Sequence, residues 1–279
     1  DWLSDGKNIS SYFEFYGGNF NGEYKDGRYH GQGTLTWDGA FGSYSGNYVG
    51  EFLNGAIHGK GVLTRDDDLV YKGEFKNWKF HGYGEVVTSE GETFAGDFEF
   101  DEVHGQGVKV SPNGTRYEGE FYEDLEHGQG KLSFINGDLY IGQFQDGERH
   151  GNGEMTSENG EVYKGDWEYG LKNGYGEFLS SDGDNYIGNF KNGLYSGIGT
   201  LINTAGDKFT GNWTNGKFNG QGTLMLANNW IAEGEFLNDK FHGNMLITSP
   251  DGIVDQLYYQ YGSLVEPGSV IIHDPFLTK

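Results

Sequence analysis

Ten times along this chain a glycine stands between two ring places, as aromatic-x-Gly-x-aromatic, and six residues past the second ring comes a His-Gly-x-Gly step. The first ring places are Phe20, Tyr48, Tyr71, Phe94, Tyr117, Tyr140, Tyr163, Tyr186 and Phe209, with Ala232 in the tenth. The second are Tyr24, Phe52, Phe75, Phe98, Phe121, Phe144, Trp167, Phe190, Trp213 and Phe236. The glycine between them runs from Gly22 and Gly50 to Gly211 and Gly234, and from Phe52 to Phe236 the period is 23 residues without a slip. A fixed period of this size marks stacked supersecondary units that share a core with their neighbours. Function is then to be sought on a long repeated surface rather than in one pocket.

Residues 117–139 show what one unit folds into. Tyr117, Gly119 and Phe121 alternate with Glu118 and Glu120. Period two, with rings on one side and acids on the other, predicts a half-buried strand. A short turn follows, and Gly128 to Phe134 reads as a second strand. Asn136-Gly137 then reads as a turn, because both residue types tolerate positive φ. Equivalent turns recur at Asp38-Gly39, Glu90-Gly91, Asn113-Gly114, Asn159-Gly160, Asp182-Gly183 and Asp251-Gly252. Each unit is therefore expected to be one β-hairpin joined edge to edge with the next. The fold class expected is all-β: an elongated, twisted antiparallel β-hairpin repeat array, a single-sheet ribbon on the order of 100 Å long. The central glycine lacks a side chain on the ring side, which leaves a slot for a ring from a neighbouring strand.

The ends break the pattern. Phe20 to Tyr48 spans 28 residues, so five extra residues around Ala40 to Tyr44 lengthen a connection or bulge a strand. At the other end Ala232 replaces a ring and Asn244-Met245 replaces the usual x-Gly. Terminal repeats decay because they must cap an open edge. The division read from this is a cap over 1–19, the array over 20–254 and a cap or tail over 255–279. The apolar Val270-Ile271-Ile272 either folds back on the last hairpin or meets another chain.

Charge and composition limit the function classes. The formal net charge of -23 argues against nucleic acid and against direct attraction to an anionic membrane. A partner carrying positive charge would be steered toward this surface. With no cysteine there are no disulfides and no thiolate metal sites. No stretch approaches the roughly 20 apolar residues that span a bilayer. The sequence starts at Asp1, which leaves a removed leader or a trimmed neighbour open. Asn-x-Ser/Thr occurs at Asn8, Asn113 and Asn212, as expected by chance in so polar a chain.

These residues resemble MORN repeats, whose pattern is roughly Tyr-x-Gly-x-Trp/Phe-x-x-Gly-x-x-His-Gly-x-Gly. Tyr48 through Gly61 and Tyr140 through Gly153 match nearly every place. The pattern weakens at Trp78, Asp101, Asp124 and Asp239, where a turn glycine is usual, and at Asn173, Ser196 and Asn219, where histidine is usual. The resemblance implies a twisted β ribbon whose groove receives partner peptides. It implies a scaffold that is cytoplasmic and associated with the cytoskeleton, cilia or membrane junctions. Some such arrays sit beside catalytic domains such as lipid kinases or methyltransferases; the flanks in this sequence are too short for one.

Other chemistry is weaker. His30, His58, His81, His104, His127, His150 and His242 suggest a metal register, but equivalent places in successive hairpins lie about 9.6 Å apart, too far to share an ion within one array; a dimer bringing two arrays together is the exception. They read as turn residues. The Gly-x-Gly steps lack the helix and lysine of a phosphate loop. Asp66-Asp67-Asp68 lacks calcium-loop spacing and reads as a solvated turn. No pair among the 42 carboxylates is distinguished, and no nucleophile motif appears. The expectation is a non-enzymatic protein with no cofactor.

The rings carry the functional expectation. A single sheet cannot cover its own ring-lined side, so that face is expected to stay open as a groove. The partner-binding residues assigned to it are Tyr71, Phe75, Phe98, Tyr117, Phe121, Tyr140, Phe144, Tyr163, Trp167, Tyr186, Phe190 and Trp213. The expected partner is an extended or helical protein segment with spaced apolar anchors and basic residues. The exposed terminal edges leave a homodimer or larger assembly open. The competing readings are a membrane or phosphoinositide tether, the regulatory array of an enzyme on another chain or trimmed region, and a carbohydrate-binding array.

Overall fold

A computed structural model of the chain describes residues 18–39 and 44–265. The chain divides into two compact units, 1–148 and 149–279. The first holds β1 (Asn19–Lys25) through β11 (Leu139–Gln145), and the second β12 (Glu148–Thr156) through β22 (Ser263–Leu264). No helix occurs among the described residues. Within each unit the strands pair antiparallel with their neighbours in the sequence, as in β3 (Gly46–Leu53) with β4 (Ala56–Arg65) and β4 with β5 (Val70–Lys76). The all-β hairpin array read from the period is the observed fold.

The glycines come in cross-strand pairs. Gly50 faces Gly61, Gly73 faces Gly84, Gly165 faces Gly176 and Gly188 faces Gly199. The first ring of the same hairpin lies flat over this bare pair. A Cβ on Gly176 would sit 2.7 Å from Cε2 of Tyr163, closer than any real contact. The slot is therefore filled by the ring two residues earlier on the same strand, not by a ring from a neighbouring strand. Within each unit the first rings are also held edge-on by two second rings. Tyr48 meets Phe52 of its own repeat at 5.2 Å and Phe75 of the next at 5.0 Å. Tyr186 meets Phe190 at 5.1 Å and Trp213 at 5.2 Å. Such T-shaped pairs add roughly 0.5–1.5 kcal/mol each beyond the area they bury.

The hairpin turns are two residues long with positive φ at both, as at Asn54 (53°) and Gly55 (92°). This is the geometry that matches strand twist. Asn136-Gly137 is not such a turn. Only Gly137 takes positive φ there, in a longer link closed by Phe134 N–H to the Asp138 carbonyl at 2.9 Å. Where glycine is missing from the tight turn, Trp78, Asp101, Asp124 and Asp239 still adopt φ of 73°, 80°, 67° and 68°.

The hairpins within each unit also carry a bulge at the His-Gly step, where register slips between the central glycine and the second ring. The bulge frees one carbonyl and one N–H. The Tyr71 hydroxyl donates to the Glu74 carbonyl at 2.9 Å, and Tyr163 does the same to Asp166 at 2.8 Å. The acid beside the second ring accepts the freed N–H: Gln129 N–H to Glu120 Oε1 at 3.0 Å, and Tyr175 N–H to Asp166 Oδ2 at 2.9 Å. The alternating acids thus complete the backbone bonding of the sheet.

At the C-terminal side Met245 faces Gly234 in the place of the usual glycine. It is fully buried, and its sulfur occupies the volume that a ring at Ala232 would fill. The period continues one step further than the sequence reading carried it. Tyr259, 23 residues after Phe236, is buried on β21 (Val254–Gln260) and meets Phe241 at 5.1 Å. The long first interval lies in the link between β2 (Arg28–Trp37) and β3, since their pairing is regular. Ala40 to Ser43 within that link, Asn8, and Val270 to Ile272 lie outside the described residues.

Candidate functional site

The twelve rings assigned to the groove are buried. Tyr71, Tyr140 and Tyr186 are 0% exposed, and Phe75, Tyr117, Phe121, Phe144, Tyr163, Trp167, Phe190, Trp213 and Phe98 reach at most 5%. They are not a contact surface. The first rings lie flat on glycine and the second rings stand edge-on between them, so they cover one another and the sheet needs no second layer to bury them. This corrects the expectation that one sheet would leave its rings open.

The half-buried residues on that face are different ones. Cross-strand pairing places the residue before His-Gly directly opposite the second ring: Phe190 with Tyr195, Trp213 with Phe218, Phe236 with Phe241 and Trp167 with Lys172. In the second unit Tyr195 stacks on Tyr186 at 3.7 Å and Phe218 on Phe209 at 3.7 Å, each leaving its other side partly open. Phe218 and Phe241 wall a hollow of about 540 Å³, with Leu201 and Leu224 beside them and Asp207, Asp239 and Lys240 also lining it. That volume lies in the range of ligand and side-chain pockets. The series was readable in the sequence as Tyr29, Ile57, Phe80, Val103, Glu126, Arg149, Lys172, Tyr195, Phe218 and Phe241 at the array's own period. The stronger ring-Gly-ring signal masked it.

In the first unit a second hollow, about 520 Å³, is lined by Val49, Lys60, Val62, Lys72 and Tyr83. These alternate with the buried rings and so belong to the opposite face of the sheet. Val49, Val62 and Tyr83 are exposed there.

Electrostatics divide the ring face. Burial pushes the phenols of Tyr48, Tyr71, Tyr117 and Tyr186 well above the ordinary tyrosine range. Tyr195 is pushed up to about 12, first by burial and then by Asp184 and Glu161 nearby. In the first unit Lys109 and Glu126 pair at 2.8 Å, and burial raises Glu92 beside them. In the second unit Arg149 lies over the Trp167 ring at 4.4 Å and donates to the Gly170 carbonyl at 2.7 Å. The Lys172 ammonium lies 3.9 Å from the centre of the Phe178 ring and 5.0 Å from that of Tyr163. Its pKa is lowered, chiefly by burial and further by Arg149, with Glu161 opposing.

The histidines sit in the bulges, several against rings: His81 meets Phe100 at 5.2 Å and His242 meets Tyr261 at 5.2 Å. Among the described residues no group of three or more His, Asp or Glu is placed to hold a metal. Asp67 is bound by Arg65 at 2.5 Å, which holds its carboxyl below the usual range.

The MORN repeat pattern matches residues 20–39, 48–70, 71–92, 94–116, 117–139, 140–162, 163–185, 186–208, 209–231 and 233–253. No curated protein matches the chain in sequence. Among solved structures the chain is similar to the SAS-4 (dCPAP) TCP domain of Drosophila melanogaster, solved in complex with a proline-rich motif of Ana2 (dSTIL). That likeness has 10% identity over 71% of this chain and 88% of that one, with a TM-score of 0.31. A streptogramin B lyase shares 12% identity over 88% of this chain and 83% of its own, with a TM-score of 0.17. Selenomethionine-substituted virginiamycin B lyase from Staphylococcus aureus shares 10% identity over 87% and 74%, with a TM-score of 0.15. With ten repeats matched in tandem over most of its length, this chain belongs to the MORN repeat family.

Proposed function

We propose that the chain is a non-enzymatic scaffold that holds an extended or helical segment of a protein partner along its ring-bearing face, in a cytoskeletal or ciliary assembly of the cytoplasm. One observation carries this reading: Tyr195, Phe218 and Phe241 are half-buried rings at consecutive repeats, and the last two wall a hollow with acids at its edge. Apolar side chains of the partner enter between those rings, and its basic residues lie beside Asp207 and Asp239. The buried rings form the floor. Residues 1–19 and 255–279 serve as caps, or as the contact through which copies of the chain assemble.

Lysine cross-linking of the protein with its partners in native extract tests the face. Cross-links at Lys172 and Lys240, with few at Lys60, Lys72 and Lys164, are the expected result. The reverse distribution moves the interface to the opposite face and overturns the reading.

A second reading has one observation behind it. Val49, Val62 and Tyr83 are exposed around Lys60 and Lys72, a combination that suits a membrane tether. The net charge of -23 opposes it. Flotation with anionic vesicles, lost in a Lys60→Glu, Lys72→Glu variant, would reverse the order of the two readings.

A further inference from the structure

We infer that the ring face of the second unit holds an acidic side chain of the partner on Lys172, at a fixed distance from the apolar residue held by Phe218 and Phe241. This rests on the scaffold reading above and adds a charge of defined sign and place to it.

The place Lys172 occupies is filled elsewhere by apolar residues. Ile57, Phe80 and Val103 stand there in the first unit, all buried. Where a charged residue takes the place in that unit, as Glu126, it meets Lys109 at 2.8 Å and the charges cancel locally. Lys172 has no such arrangement: no described carboxylate lies within ion-pair distance of it. Its ammonium rests instead on the rings of Phe178 and Tyr163. Arg149 is close enough to lower its pKa and the Glu161 carboxylate, outside ion-pair distance, raises it, so two cations share this stretch with one acid that does not bond to Lys172 in the way Glu126 bonds to Lys109. A half-buried ammonium lying on rings costs stability relative to the apolar residues found at its equivalents. A carboxylate arriving with a partner would recover that cost with a charge-assisted hydrogen bond in a partly desolvated setting.

The repeat fixes the spacing. Phe218 is two hairpins beyond Lys172, which sets the two contacts about 19 Å apart. An extended segment covers that distance in roughly six residues and a helix in roughly thirteen.

Selection from a displayed library of random linear peptides against the full chain tests this, with the best peptide then measured by fluorescence anisotropy. The expected consensus carries Asp or Glu at one fixed spacing from an aromatic or branched apolar residue. Changing that acid to its amide should weaken binding about tenfold. Lys172→Met should weaken the acidic peptide equally and leave the amide peptide unchanged, while Lys172→Arg restores binding; circular dichroism checks that each variant stays folded. An apolar consensus without the acid, or an acid whose effect persists in Lys172→Met, overturns this inference and leaves the scaffold reading standing. No enrichment on the folded chain overturns both.

Discussion

The Asp124 carboxylate accepts the backbone N–H of Val103 at 2.7 Å, while the Asp124 N–H donates to the Val103 carbonyl at 3.1 Å. The tight turn of one hairpin thus hangs on the preceding hairpin by a reciprocal pair. Asp101 does the same to Phe80, and Asp239 to Phe218. Where glycine holds the place, as at Gly193 with Lys172, only the N–H to carbonyl bond remains. Aspartate therefore trades an unfavourable φ for a second bond between repeats.

Asp124→Ala removes that second bond and keeps a side chain at φ 67°. Its expected cost is about 2 kcal/mol, from the lost charge-assisted bond and the left-handed backbone. Asp124→Gly loses the bond but relieves the backbone and should cost about 1 kcal/mol. Urea titration of the two variants separates the contributions; equal losses would show that the backbone conformation carries no strain.

Gly176→Ala introduces a methyl group against the face of Tyr163, with the backbone of Gly165 on the facing strand unable to retreat. The ring must leave its slot, and with it the contacts to Trp167 and Phe190. A loss of about 3 kcal/mol or more is expected, as for an overpacked core with broken ring pairs. Gly160→Ala, where no atom lies within 4 Å but φ is 90°, should cost only about 1 kcal/mol. Thermal melts of the two variants compare crowding with conformation directly.

Met245 and Ala232 form a compensating pair. Met245→Gly alone empties buried volume, and Ala232→Tyr alone drives a ring into the sulfur. Each should destabilise by about 2–4 kcal/mol. Together they restore the arrangement of the inner repeats, so the double variant should recover most of both losses. A double-mutant cycle with no coupling would show that the two side chains do not share one space.

Alkaline pH should unfold the array cooperatively. The folded pKa values of Tyr48, Tyr71, Tyr117, Tyr186 and Tyr195 are raised by burial, above an unfolded value of about 10. Below pH 10 both states hold these protons and the stability is fully present. As pH rises beyond 10 the unfolded chain loses them first, so stability falls progressively up to the folded values. Phenolate absorbance from these tyrosines should appear together with loss of the sheet signal. Their ionisation in a still-folded chain would contradict the burial described.

The period, the strand pairs and the all-β fold were legible because alternation and glycine spacing report backbone directly. Tyr71, Phe75 and their equivalents could be placed on one face for the same reason. Whether that face was open could not be read, because periodicity gives a side and not the angle at which a ring lies. Flat on paired glycines, Tyr163 closes the face; standing upright it would have lined a groove. The open places, Tyr195, Phe218 and Phe241, lie in the second strand, where residue type changes from repeat to repeat and Lys172 and Glu126 interrupt the apolar series. The His-Gly step was legible as a repeated feature but not as a bulge, since the bonds that reveal it, such as Tyr71 to the Glu74 carbonyl, join residues whose roles emerge only once the register has slipped.

Within each unit a first ring such as Tyr48 or Tyr186 is sealed partly by its own repeat and partly by the one that follows. Subtracting an inner hairpin from either unit exposes a surface that was inside. A shortened array therefore needs a side chain that fills the space of the missing ring contacts, as buried Met245 does beneath Ala232. Lengthening by duplication of an inner repeat needs no new solution, whereas any new terminus must find a side chain able to do what Met245 does.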